Sequence, residues 1–153
     1  MPPVFAHGAL RLYLLALLES GPKHGYELIK ALKDRSGGTY SPSAGTIYPR
    51  LGKLEEDGLV ATEPAGRRTN YRITAAGLAE LDRRREDLAG VENSIALSAQ
   101  RLDVELMLQK FRDELCADLR RQARRHPISP VTLETVRTVL DEARVAIRST
   151  LQS

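Results

Sequence analysis

The chain has 153 residues, 42% of them hydrophobic and 28% charged, with 23 Lys and Arg set against 20 Asp and Glu. That length and balance fit one compact domain, or a small domain carrying a helical arm, and no apolar run is long enough to span a membrane. A single cysteine, Cys116, excludes an intrachain disulfide framework. It stands among apolar helix positions, where a buried structural thiol is expected. The first residues carry no signal-peptide pattern, so cytoplasmic residence without membrane partners is expected. A net charge of +3 does not by itself identify a nucleic-acid partner, and the placement of the basic residues carries more information.

Leu10, Tyr13, Leu14, Leu17 and Leu18 follow a helical period from about Gly8 to Glu19, on an apolar face broad enough to meet more than one neighbour. Ser20-Gly21-Pro22 ends this helix. A second helix is predicted from about His24 to Asp34, with Tyr26, Leu28, Ile29 and Leu32 inward and Lys30 and Lys33 elsewhere. His24 opens it as a capping or packing residue, because no second ligand follows at metal spacing. Two short helices joined by a glycine-containing turn, Ser36 to Thr39, give a helix-turn-helix plan.

The third helix, from Ser43 to Asp57, is the one the chain is arranged to present. Ser43 is the N-cap candidate, and Ala44, Ile47, Leu51 and Leu54 mark the buried stripe. The opposite side carries Gly45, Thr46, Tyr48, Pro49 and Lys53, a compact surface with little charge at its start. Pro49 removes one backbone hydrogen bond inside the helix, and the carbonyl it deprives belongs to Gly45. Gly58 suits the left-handed residue after the helix end. Two extended runs, Leu59–Glu63 and Thr69–Thr74, flank the turn Pro64-Ala65-Gly66-Arg67-Arg68. This hairpin is either a basic wing or a solvated basic turn, and its position directly after the third helix favours the wing.

Thr74 caps a further helix with Leu78, Leu81, Leu88, Val91 and Ile95 as its stripe and a bend at Gly90. Another helix is predicted from Arg101 to His126, its end marked by Arg120, Arg121, Arg124 and Arg125, which complement the helix dipole. Ser129-Pro130 starts the last helix. Along it Leu133, Val136, Leu140, Ala143, Ile147 and Leu151 alternate spacings of three and four, which makes a seam for a partner helix. A second copy of the chain is the simplest cover.

Three stretches resemble the PadR family of bacterial transcriptional regulators: GTIYPRLGKLEEDGLV at 45–60, HGYEL at 24–28 and YRIT followed by AAG at 71–77. The resemblance spans roughly the first half of the chain. It implies a mainly α fold with a small β-hairpin: a winged helix-turn-helix over residues 1–77, then C-terminal dimerisation helices over residues 78–153. It also implies a homodimer on an inverted-repeat operator in double-stranded DNA. A dimer would set two reading helices about one DNA turn apart, roughly 34–36 Å.

The residues supply the chemistry for such a partner. Ser43 and Thr46 offer hydroxyls, Gly45 allows close backbone approach, and Tyr48 and Pro49 give apolar contact. Arg50, Lys53, Arg67 and Arg68 neutralise phosphates. Many members of the family are repressors released by small hydrophobic molecules, so an effector is implied but not identified. The chain has no tryptophan to stack on one. Phe5, Tyr13, Met107 and Phe111 are either pocket or core. No cofactor is expected. An enzyme is not expected either: there is no phosphate loop or nucleophile elbow, and no zinc spacing among His7, His24, His126 and Cys116. The rival reading is a winged-helix adaptor that binds protein without sequence-specific DNA binding.

Overall fold

The computed structural model describes Phe5 and residues 8–153. The elements run α1 (Ala9–Glu19), β1 (Lys23–His24), α2 (Gly25–Arg35), α3 (Ala44–Glu56), β2 (Val60–Ala65), β3 (Arg68–Ile73), α4 (Ala75–Arg83), α5 (Arg85–Arg125) and α6 (Pro130–Leu151). They form two compact units, the first ending at Glu105 and the second beginning at Leu106. No helix among the described residues is long and apolar enough to cross a membrane.

In the first unit α1 is the central post. Leu10, Leu12, Tyr13, Leu14, Leu15, Leu17 and Leu18 are all buried, so nearly every side of this helix meets a neighbour. Leu28 and Leu32 of α2 join it, with Ile47, Leu51 and Leu54 of α3, Val60 of β2, Leu81 of α4 and Leu88 and Ile95 of α5. The core thus draws on α4 and the first turns of α5 as well as on the helix-turn-helix. Phe5 lies against it, its ring 5.6 Å from Tyr13 and 4.8 Å, edge-on, from Tyr40. Those aromatics are packing, and burial pushes the Tyr40 phenol above its ordinary pKa.

The sheet has three antiparallel strands in the order β1-β3-β2. β1 pairs Lys23 with Tyr71 and His24 with Asn70, a strand the sequence reading does not contain. Two polar residues are too few to show alternation. β2 and β3 form the wing hairpin in a register running from Val60↔Ile73 to Ala65↔Arg68, which leaves a two-residue loop of Gly66 and Arg67. Gly66 has φ +64 and Arg67 does not share the positive value, the pattern of a type II′ turn. Pro64 is tolerated within β2 because β2 is an edge strand.

Several expectations are corrected. Tyr26 is 68% exposed rather than inward; the buried stripe of α2 is Gly25, Leu28 and Leu32. Ala44 and Leu78 are also exposed. The helix from Thr74 breaks at Arg84, not at Gly90. The Arg84 N–H is shared between the carbonyls of Glu80 and Leu81, and Arg85 reaches Asp82 at 2.8 Å and Glu19 at 2.5 Å, which pins the corner. Beyond it, α5 continues for 41 residues without the expected interruption before Arg101. Gly90 costs it roughly 1 kcal/mol, too little to break a helix of that length.

The second unit holds the remainder of α5 and all of α6. Ser129 caps α6, its hydroxyl accepting from the Thr132 N–H at 3.1 Å, with Pro130 in the first turn. No residue of α6 is buried within the chain. Leu133, Leu140 and Ile147 are exposed, as is Ala143, and Val136 is half-buried. Met107 and Phe111 are exposed as well, and Cys116 is half-buried rather than buried.

Candidate nucleic-acid interface

α3 is held from below and open above. Ile47, Leu51 and Leu54 are buried on one side, while Ser43, Gly45, Tyr48, Pro49, Arg50 and Lys53 lie on the surface and Thr46 is half-buried. The helix begins where Ser43 places its carbonyl to accept from the N–H groups of Thr46 and Ile47, at 3.0 and 3.2 Å. The Ser43 side chain does not cap the backbone, contrary to expectation. Its hydroxyl instead shares a 3.1 Å hydrogen bond with the Thr46 hydroxyl, which keeps both groups at the surface of the first turn. α3 remains helical through Pro49. The far end is a Schellman motif: Gly58, at φ +73, donates to the Glu55 carbonyl and Leu59 to the Leu54 carbonyl, both at 3.0 Å.

Tyr48 and Gly25 interlock. A Cβ added at Gly25 would lie 2.5 Å from the Tyr48 ring and 2.6 Å from its hydroxyl, so glycine alone lets the ring rest on the start of α2. Tyr48 still has 44% of its surface exposed, and it couples the orientation of α3 to α2. His24 stands at the head of α2 in extended conformation, and the Glu27 carboxylate accepts from its backbone N–H at 2.7 Å. The imidazole faces the Glu27 N–H as the other half of a capping box, but Nδ1 has no hydrogen bond of good geometry. His24 is the N-cap residue of α2 by its backbone rather than by its imidazole, and no group of three His, Cys, Asp or Glu suited to a metal ion occurs among the described residues. His7 lies outside those residues.

The wing is tied to the helix behind it by Thr62, whose hydroxyl donates to Glu55 at 2.8 Å, and is braced across its strands by Arg72 and Glu63 at 2.7 Å. Burial raises the pKa of Tyr71 on β3, with the neighbouring Tyr48 and Glu55 adding to the shift. Arg67 and Arg68, at the tip, are exposed and pair with no carboxylate among the described residues. Lys53 differs. It meets Glu56 at 3.3 Å and Asp57 at 3.6 Å, and these partners raise its pKa. Asp57 in turn meets Arg11 at 2.5 Å, and that guanidinium holds its carboxyl below the ordinary range.

Between the start of α2, Tyr48 and the wing tip runs an open cleft of about 500 Å³. It brings Tyr48, Arg67 and Arg68 together with residues that sequence reasoning did not select, His24, Tyr26 and Thr69. Tyr26 was missed because glycine heads the true stripe of α2, and a glycine does not register as an apolar position.

The family model described as Transcriptional regulator PadR-like family matches residues 14–83. The transcriptional regulator YqjI of Escherichia coli (strain K12) is 34% identical over 146 residues, covering 91% of this chain and 69% of its own length. Transcriptional regulator Rv3488 of Mycobacterium tuberculosis is 44% identical over 92 residues, which are 56% of this chain and 83% of that protein. A solved transcriptional regulator from Clostridium thermocellum superposes with a TM-score of 0.51 at 26% identity, over 58% of this chain and 91% of that one. With the helix-turn-helix, the wing and a relative of this length in agreement, the chain belongs to the PadR-like family of transcriptional regulators.

Proposed function

We propose that this regulator is a repressor that binds an inverted-repeat operator as a homodimer in the cytoplasm, and that a small hydrophobic effector releases it. Residues 1–77 bind DNA and residues 78–153 form the dimer. The observation that carries the reading is the open side of α3, flanked by a wing whose two exposed tip arginines pair with no carboxylate among the described residues. An α-helix fits the major groove, where base edges present a distinct donor and acceptor pattern. Ser43, Gly45, Thr46, Tyr48 and Pro49 face the bases and adjacent sugars, while Arg50, Arg67 and Arg68 meet phosphates. Lys53 contributes less than these, because its ammonium is already shared between two carboxylates. The dimer reading rests on the seam Leu133, Val136, Leu140, Ala143 and Ile147 of α6, exposed but for the half-buried Val136, in a helix with no buried residue. The effector rests on family likeness alone.

The test is titration of the regulator onto its own promoter fragment at several salt concentrations. Retardation that weakens steeply with salt is expected, since each phosphate neutralised contributes about 0.9 to the slope of log K against log salt. No retardation at low salt would favour the adaptor reading instead.

A further inference from the structure

The cleft beside the wing is lined by two arginines and several hydroxyls. Arg67 and Arg68 border it on the wing side, Tyr48 on the α3 side, and His24 and Tyr26 on the α2 side, with the Thr69 hydroxyl between. Among the described residues no Asp or Glu lines it. Glu27, the acidic residue closest in sequence, is turned back onto the His24 backbone. Two cations and the four hydroxyls of Tyr26, Tyr48, Thr69 and Tyr71 around an open trough suit an elongated anion better than a neutral molecule. The trough also lies beside the open side of α3, so any duplex whose groove admitted that helix would run a strand along it.

We infer that the cleft seats one phosphodiester of the DNA backbone, held by Arg68 as the charge partner and by the Tyr26 hydroxyl as a neutral donor. This rests on the DNA-binding reading and adds α2 to the contact surface. Tyr26 is 68% exposed and lines the cleft, so a phosphate seated there gives its hydroxyl a partner. The Tyr48 ring, resting on Gly25, forms the end wall and sets how far the strand can enter.

The experiment compares Tyr26→Phe and Arg68→Ala with the unaltered protein by fluorescence anisotropy, on the promoter fragment and on a scrambled duplex of equal length, through a salt series. Tyr26→Phe removes one hydrogen bond to the phosphate anion and no charge from the protein. Its affinity should fall about tenfold or more on both duplexes, with the salt slope unchanged. Arg68→Ala should lower the slope by about 0.9. Thermal melting of Tyr26→Phe should match the parent, since the lost hydroxyl is exposed. Wild-type affinity in Tyr26→Phe, or a loss confined to the promoter fragment, would overturn the phosphate seat while leaving DNA binding intact. Failure of the unaltered protein to bind either duplex would overturn the parent reading as well.

Discussion

Gly77→Ala sets two ordinary effects against each other, and the structure decides between them. Gly77 is in the first turn of α4, where alanine would be favoured by about 1 kcal/mol on helix propensity. An added Cβ, however, would sit 2.2 Å from the Leu59 carbonyl oxygen and 2.7 Å from Ile73 Cγ1. The first of these is backbone and cannot swing aside. Relief requires moving α4 away from the end of α3. That stretches the 3.0 Å bond from the Thr74 N–H to the Leu59 carbonyl and the 2.6 Å bond from the Thr74 hydroxyl to the Gly58 carbonyl. Overpacking costs about 1–3 kcal/mol and the two weakened hydrogen bonds up to about 1 kcal/mol each; set against the propensity gain, the net change is a destabilisation of about 2 kcal/mol, and at most about 4. Urea unfolding should show a lower midpoint with an unchanged m-value. A variant as stable as the parent, or more so, would mean that helix propensity wins and that the contact between α4 and Leu59 does not constrain the base of the wing.

Two further perturbations separate the regions of the molecule. Leu140→Asp places a charge on the α6 seam and should raise the dimer dissociation constant on the order of a hundredfold or more, without loss of helix content, because Leu140 is not buried within its own chain; an unchanged dimer in sedimentation velocity would move the interface elsewhere. Asp57 is held below its ordinary pKa, first by its hydrogen bond from Arg11. A depressed carboxyl stabilises the fold above its unfolded-state value and loses that contribution as pH falls through the folded one. Asp57→Asn should therefore be less stable than the parent at neutral pH, and the gap should close on acidification below the ordinary Asp value of about 3.9. A gap in urea midpoints that persists there would refute the ion pair as its cause.

What was legible in the sequence shares one property: the signal lay within a few residues of the feature. Gly58 after Asp57, Ser129 before Pro130 and Gly66 at the wing turn all stand where the backbone requires them. The face of α3 was clear from Ile47 onward, since Ile47, Leu51 and Leu54 point one way and the residues between them do not, whereas Ala44, read as part of the same stripe, is exposed. What was hidden depended on partners distant in sequence. Tyr26 has the apolar character of a core residue, yet α2 turns Gly25 inward so that Tyr48 can lie on it. β1 exists only because β3 passes beside it. The corner at Arg84 lies in a run of charges with no period, and is pinned by Glu19 of α1. Ser43 has the chemistry of a cap, but its hydroxyl pairs with that of Thr46 instead of a backbone N–H.

Hydroxyl-radical footprinting of the promoter tests the central claim most directly, because it reports where and how many times the protein meets the backbone. Two protected patches on one face of the duplex are predicted, centred about 10 base pairs apart over an inverted repeat, and both should fade together in Leu140→Asp. A single patch in the parent protein, or two that survive that substitution unchanged, would contradict it.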